Sequence, residues 1–389
     1  MARPGIFKCI LLKMNRIQLV ILVGIVLLFS GFKIYQEFNL DQLRQRYSSG
    51  DYSQWPQPHL DKGVEKDFKD IGSLPKTQYP KDNTYNKEKE KLGKTLFFDP
   101  RLSGSGQIAC ASCHDSELGW GDGRRVSYGH NRQLGKRNAM TLLNVGLADS
   151  LFWDGRSVSL EEQAGFPVED SLEMHSPLNL AVERIAAIKG YENLFLEAFG
   201  SPEINEERIR KAMATFERGI VSESTKFDRF IAGESDIYSD DEVLGLHLFR
   251  TKARCINCHN TGYFSDNEFH NTGLNYYGRR FEDLGLFEVT GKKEDVGKFK
   301  TSTLREISRT GPYMHNGLFP HLEGVVNMYD AGMFQPKRKK SQLKDSLFPI
   351  TSSLIKKLDL SDREKKALVA FLKSLESRNK RENPPVLPE

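Results

Sequence analysis

Cys110-Ala-Ser-Cys113-His114 and Cys255-Ile-Asn-Cys258-His259 constrain this chain more than any other feature. Two cysteines three positions apart on a turn present both sulfurs to one edge of a flat ring, and the histidine that follows lies beneath its centre. That is how a c-type haem is attached: two thioethers to the vinyl groups and a proximal imidazole on the iron. A zinc site and a dithiol redox pair are the alternatives. A shared zinc site needs the cysteine pairs close together, and most of two domains separates them in sequence. A redox pair has no use for the histidine. Two covalent haems are therefore expected, one on Cys110, Cys113 and His114, the other on Cys255, Cys258 and His259.

The fifth cysteine, Cys9, precedes an apolar run at residues 17–32 and leaves no pair for a disulfide. Lys8, Lys13 and Arg16 before that run give the layout of an export signal. No small-x-small cleavage site follows, so residues 1–35 are expected to be an uncleaved inner-membrane anchor, with a cleaved signal peptide as the alternative. Either way the body is exported to the periplasm, where c-type attachment takes place. With 38% hydrophobic and 28% charged residues the rest reads as an ordinary globular protein, and a net charge of +4 over 389 residues gives no sign of nucleic-acid binding.

Residues 36–80 lack apolar periodicity and read as a polar tether and lead-in strap. The apolar spacing in residues 87–98 predicts a helix that stops at Asp99-Pro100, just before the first haem motif. Residues 161–163, 177–189, 191–199 and 206–221 read as further helices, completing a first haem domain over 81–225. A second domain, 226–380, repeats the arrangement: a helix over 240–252 runs into the second motif. Near its end Ser361-Asp362-Arg363-Glu364 caps a helix with Ala367, Leu368, Phe371, Leu372 and Leu375 on one face. Residues 381–389 read as a tail. The basic run at 337–340 reads as solvated surface. The fold class is mainly α: two c-type cytochrome domains with very few strands.

Leu92-Gly93-Lys94-Thr95-Leu96-Phe97-Phe98-Asp99-Pro100-Arg101-Leu102-Ser103 precedes the first haem motif. Phe152-Trp153-Asp154-Gly155-Arg156, Leu160-Glu161-Glu162-Gln163-Ala164 and Glu173-Met174 follow it. In this order and spacing they make the chain, from Lys87 to Leu375, resemble the bacterial di-haem cytochrome c peroxidases, a family that includes the MauG-type enzymes that mature methylamine dehydrogenase. The resemblance implies a peroxidatic haem on His114 and an electron-transfer haem on His259. It makes His130 the removable distal ligand of the first iron, Gln163 and Glu173 the distal-pocket pair, and Trp153 the bridge between the haems. The chemistry suits these residue types: a desolvated carboxyl can carry the one proton that must move between the two oxygens of a peroxide, and Gln163 can orient it. Asn138, Thr310 and Pro312 match positions that hold a calcium ion, and an amide and carbonyl oxygens are fitting hard ligands.

In the second domain the resemblance runs through Thr310-Gly311-Pro312-Tyr313-Met314-His315-Asn316-Gly317 and Leu322-Glu323-Gly324-Val325-Val326-Asn327-Met328-Tyr329, with departures. Ser302 and Glu306 replace a common proline and asparagine. The distal methionine of the electron-transfer haem falls on Tyr329, the MauG-like condition, with Met328 and Met314 as alternative ligands. Tyrosinate favours ferric iron, whereas a thioether raises the reduction potential. His130 is the peroxidase-like condition, so the chain mixes both sets. The leading expectation is a peroxidase reducing hydrogen peroxide with electrons from a small cytochrome c or cupredoxin. The alternatives are a MauG-like oxidase of a protein substrate and a non-catalytic electron-transfer cytochrome. The resemblance also makes a homodimer an expected assembly.

Overall fold

In a computed structural model that describes residues 39–389, the two haem motifs sit in two halves built on one plan. Helix α1 (Leu40–Tyr47), started by the Asn39 side chain accepting from the Gln42 amide, opens an irregular lead-in strap. The first half holds α2 (Lys87–Phe98), α3 (Leu160–Gln163), α4 (Phe166–Glu169), α5 (Leu178–Ala186), α6 (Lys189–Phe199) and α7 (Glu206–Arg218). The second holds α8 (Lys226–Ile231), α9 (Asp240–Arg250), α10 (Phe287–Thr290), α11 (Leu322–Asp330) and α12 (Asp362–Lys373). The sole described sheet pairs β1 (Phe269–His270) with β2 (Phe299–Lys300), antiparallel, Phe269 opposite Lys300. The mainly helical fold and the helices leading into each motif match the sequence expectation. Helix α11 was not foreseen.

Each half is organised by one close helix crossing. The helix before each motif, α2 or α9, crosses the last helix of its half, α7 or α12, at a glycine. A Cβ on Gly93 would lie 1.9 Å from the carbonyl oxygen of Ala212, and one on Gly245 would lie 2.0 Å from that of Ala367. Only hydrogen fits, so both pairs of backbones approach closely enough to interlock their apolar faces. In α12 the capping box of Ser361 and Glu364 forms as expected, and Ala367, Leu368, Phe371, Leu372 and Leu375 are all buried. Each Leu or Phe there contributes roughly 1.5–3 kcal/mol through burial.

Two segments differ from expectation. The stretch read as a polar tether and lead-in strap is a strap, but packed rather than free: Tyr47, Trp55 and Ile71 join the core of the second half. The Arg250 guanidinium lies over the Tyr47 and Trp55 rings, 5.4 and 5.0 Å from their centroids, and pairs with Asp70. Beyond α1, where Leu43 and Tyr47 are buried four residues apart, the anchors Trp55 and Ile71 stand alone, and a cation from α9 covers Tyr47 and Trp55, so periodicity was blind to most of the strap. The stretch read as a tail is also docked. It leaves the second half and returns to the first, where Arg101 donates to the Pro388 carbonyl at 3.0 Å and the Gly190 amide to the Glu389 carbonyl at 3.0 Å. The expected membrane anchor lies outside the described residues. Among those described, no helix is long and apolar enough to cross a membrane.

Candidate active site

Cys110–Ser112 and Cys255–Asn257 each form one 3₁₀ turn. In both, the histidine amide closes back on the first cysteine's carbonyl, 3.1 Å for His114 and 2.9 Å for His259. The imidazoles are then fixed from behind. His114 Nδ1 lies 2.9 Å from the Trp120 carbonyl and His259 Nδ1 lies 3.1 Å from that of Phe264. A carbonyl can only accept, so Nδ1 carries the proton and Nε2 is left as the ligating nitrogen. Neither cysteine pair is joined as a disulfide. Burial pushes the Cys113 thiol up to about 11 and the Cys255 thiol up to about 12.

A continuous cavity of about 800 Å³ runs past both motifs. Its walls are largely apolar, with Phe97, Leu142 and Met213 in the first half and Val326, Leu358 and Leu368 in the second. Paired free thiols, an oriented imidazole and an apolar slot in each half fit two covalent haems.

Glu173 and Gln163 both line this cavity. Glu173 shares the cavity wall with Cys110 and Cys113, and its charge is felt by both thiols. Desolvation holds its carboxyl above the usual range; Asp170 adds to the shift and Arg156 opposes it. The Gln163 Oε1 is buried without a partner among the described residues. An unsatisfied acceptor on a cavity wall is costly unless something enters the cavity to meet it.

His130 is placed differently. Its ring is not part of the cavity wall; it packs against His175 with centroids 4.6 Å apart. Its backbone amide donates to the Glu173 carbonyl at 2.7 Å, so the His130 loop and the distal acid are tied together.

Trp153 stands where the halves meet. Its indole Nε1 donates to the Asn138 carbonyl at 2.9 Å, and its own carbonyl accepts from the Lys300 amide at 2.9 Å. The His315 ring faces it edge-on at 6.4 Å and stacks on Phe299 at 3.6 Å. Arg137 beside them binds Asp154 in the first half and Asp283 in the second, an ion-pair bridge across the boundary.

In the second half Tyr329 and Met314 line the cavity, and Met328 does not. Burial raises the Tyr329 hydroxyl far above its usual range, with the sulfurs of Cys258 and Cys255 adding to the shift, so Tyr329 faces the second motif. Thr310, Pro312 and Asn138 all line the cavity, and Asn138 Nδ2 donates to the Arg124 carbonyl at 2.8 Å.

Sequence reasoning missed Glu217. It is 3% exposed on α7, lines the cavity, and its Oε2 has no partner among the described residues. Desolvation pushes its pKa up to about 8, against the pull of Arg218. A signal was present: Glu217 falls on the same helical face as Ile209, Met213 and Phe216, where a charge is out of place.

A family profile described as di-haem cytochrome c peroxidase matches residues 87–236. The methylamine utilization protein MauG of Methylophilus methylotrophus is 37% identical over 326 residues, spanning 83% of this chain and 91% of that protein. The cytochrome-c peroxidase IdrP1 of Pseudomonas sp. (strain SCT) is 36% identical over 336 residues, spanning 78% and 85%. Among solved structures, a MauG-like protein associated with microbial copper homeostasis aligns with a TM-score of 0.70 at 33% identity, covering 78% of this chain and 93% of that one.

Proposed function

The chain belongs to the di-haem cytochrome c peroxidase family, which also holds the MauG proteins, and from that premise we propose that it reduces hydrogen peroxide to water in the periplasm with electrons from a small cytochrome c or cupredoxin. One observation supports the choice: in the first half a buried carboxyl of raised pKa and an unpartnered Gln163 Oε1 line the cavity, and the His130 ring stays out of it. That wall is open to a small ligand and equipped for a proton.

The haems supply the iron centres that take up peroxide and hold electrons. Glu173 accepts a proton from one peroxide oxygen and returns it to the other, which leaves as water. Gln163 accepts a hydrogen bond from peroxide and keeps it turned toward that carboxylate. Trp153, clamped between Asn138 and Lys300, gives a packed aromatic link across the boundary of the halves. Asn138, Thr310 and Pro312 are the residues that would hold a calcium ion near that boundary.

Stopped-flow mixing of the haem-loaded protein with peroxide tests this reading. Turnover with a small electron donor is expected in the half-reduced state, and no turnover in any reduction state would overturn it. A second reading, oxidation of a protein substrate in the MauG manner, is favoured by Tyr329 alone. It predicts a tyrosinate-ligated second haem and slow peroxide turnover with every small donor.

A further inference from the structure

The basic run at residues 337–340 is not an isolated solvated loop. It belongs to a segment, 335–350, that leaves the second-half cavity wall after Tyr329 and rejoins it at Leu354. A second segment, 276–282, does the same after Thr272 and packs against the first. The Phe348 ring lies 5.8 Å from Tyr277 and 4.8 Å from the Arg338 guanidinium, and the Tyr277 hydroxyl donates to Asp345 at 2.9 Å.

Together these segments carry seven cations, Arg279, Arg280, the four of residues 337–340 and Lys344, against two carboxylates. That concentrates more positive charge here than the +4 of the whole chain. Both carboxylates are engaged internally: Asp345 by Tyr277 and Glu282 by the Gly278 amide. All seven cations are exposed and none is ion-paired among the described residues. Set among them are Phe281, Leu343 and Ile350, which are 62, 67 and 80% exposed. An unpaired cationic field around exposed apolar side chains has the character of a transient protein interface, in which charge steers and small apolar contacts seat the partner.

We propose that this face is the docking surface for a small redox protein of net negative charge, which delivers electrons to the haem of the second half. The inference rests on the peroxidase reading, which requires a protein electron donor, and it adds the sign of that donor's charge and the place where it binds. Complementary charge raises the encounter rate and selects against a cationic cytochrome.

The test uses the ferric, haem-loaded protein and two oxidised probes, an acidic blue-copper protein and a basic c-type cytochrome, with binding read by calorimetry. At ~20 mM salt the acidic probe is expected to bind at least about tenfold more tightly than the basic one, and to lose most of that advantage by ~200 mM. The quadruple variant Lys337→Glu, Arg338→Glu, Lys339→Glu, Lys340→Glu should weaken the acidic probe at least about tenfold. Arg279→Glu with Arg280→Glu should act in the same direction from the other segment. Peroxide consumption with a small neutral dye should be unchanged in both variants. Equal binding of the two probes, binding insensitive to charge reversal, or binding only to anionic phosphatidylglycerol vesicles would overturn the proposal. Failure of the peroxidase reading shows separately, as absent dye-coupled peroxide consumption in the unaltered protein.

Discussion

In the first half Ala212 meets Gly93, and the residues one and five positions further along α7, Met213 and Glu217, line the cavity. In the second half Ala367 meets Gly245, and Leu368 and Leu372 of α12 take the corresponding places. Phe216 and Phe371 also correspond, and both are buried. The same scaffold thus presents a carboxyl in one half where the other presents a leucine. The contrast repeats elsewhere on the cavity wall, with Glu173 and Gln163 contributed by the first half and Tyr329 by the second. Burying a carboxyl without a partner costs stability, and of these two corresponding positions Glu217 bears that cost and Leu372 does not. On the proposed reading, the half with the buried carboxyls is the one that handles protons.

The largest break in this comparison should come from Glu173→Gln. Removing the group proposed to move the proton should lower peroxide turnover by roughly 10²–10³-fold, within the range for general acid–base catalysis. Absorption and potential of the second haem should stay as they were. The raised pKa of Glu173 adds a pH signature: as pH falls through it the carboxylate is lost, so kcat/KM should show an acid limb that the variant lacks. Stopped-flow rates against pH measure both.

Glu217→Gln sharpens the contrast through stability. In the unfolded chain this glutamate loses its proton near 4.5, and in the fold near 8. Its full contribution is therefore present below pH 4.5 and is lost as pH rises through 8, because the ionised form is stabilised only when the chain unfolds. The variant should match the parent at pH 4 and exceed it by about 5 kcal/mol at pH 9. Leu372→Gln in the second half should show no such pH dependence. Denaturant unfolding at the two pH values decides.

The shared scaffold is itself testable. Gly93→Ala and Gly245→Ala should each cost about 1–3 kcal/mol, although alanine is the better helix former, because each added methyl meets a carbonyl oxygen. Similar losses by denaturant unfolding would establish the equivalence of the crossings; a neutral Gly245→Ala would break it.

Much of this plan was legible in the chain. Both attachment motifs, the helices leading into them and the capped α12 were readable because each depends on neighbours in sequence. Glu173, Gln163 and Trp153 came from resemblance, and no local rule would have chosen them. What stayed hidden depends on contacts between distant segments: the strap held by Arg250, the C-terminal segment crossing to Arg101, and Arg137 bridging Asp154 and Asp283. Glu217 was hidden for another reason. Its position on a buried helical face was readable, but its significance appears only beside the leucine that replaces it in the other half.

Tyr329→Met probes the second half alone. On the reading that Tyr329 is the iron ligand, exchanging its oxygen for a thioether should raise the potential of that haem by on the order of 0.1 V, since axial ligand identity is a main control on haem potential. The first haem should not move. Potentiometric titration of both absorption bands separates the two, and an unchanged second potential would turn attention to Met314, the other candidate on the cavity wall.

The smallest effect is expected at His130. With its ring against His175 and outside the cavity wall, the side chain takes no part in the arrangement described, so His130→Ala should change turnover of the half-reduced enzyme by less than about twofold. The loop should keep its place over the distal acid, because the bond to the Glu173 carbonyl comes from the backbone amide, which alanine retains. The visible change should be spectroscopic: any six-coordinate, low-spin ferric signal of the first haem is lost, and the second haem keeps its own. A large loss of half-reduced turnover would mean that His130 works inside the cavity, and the first half would then need a third polar group on its distal wall to account for its chemistry.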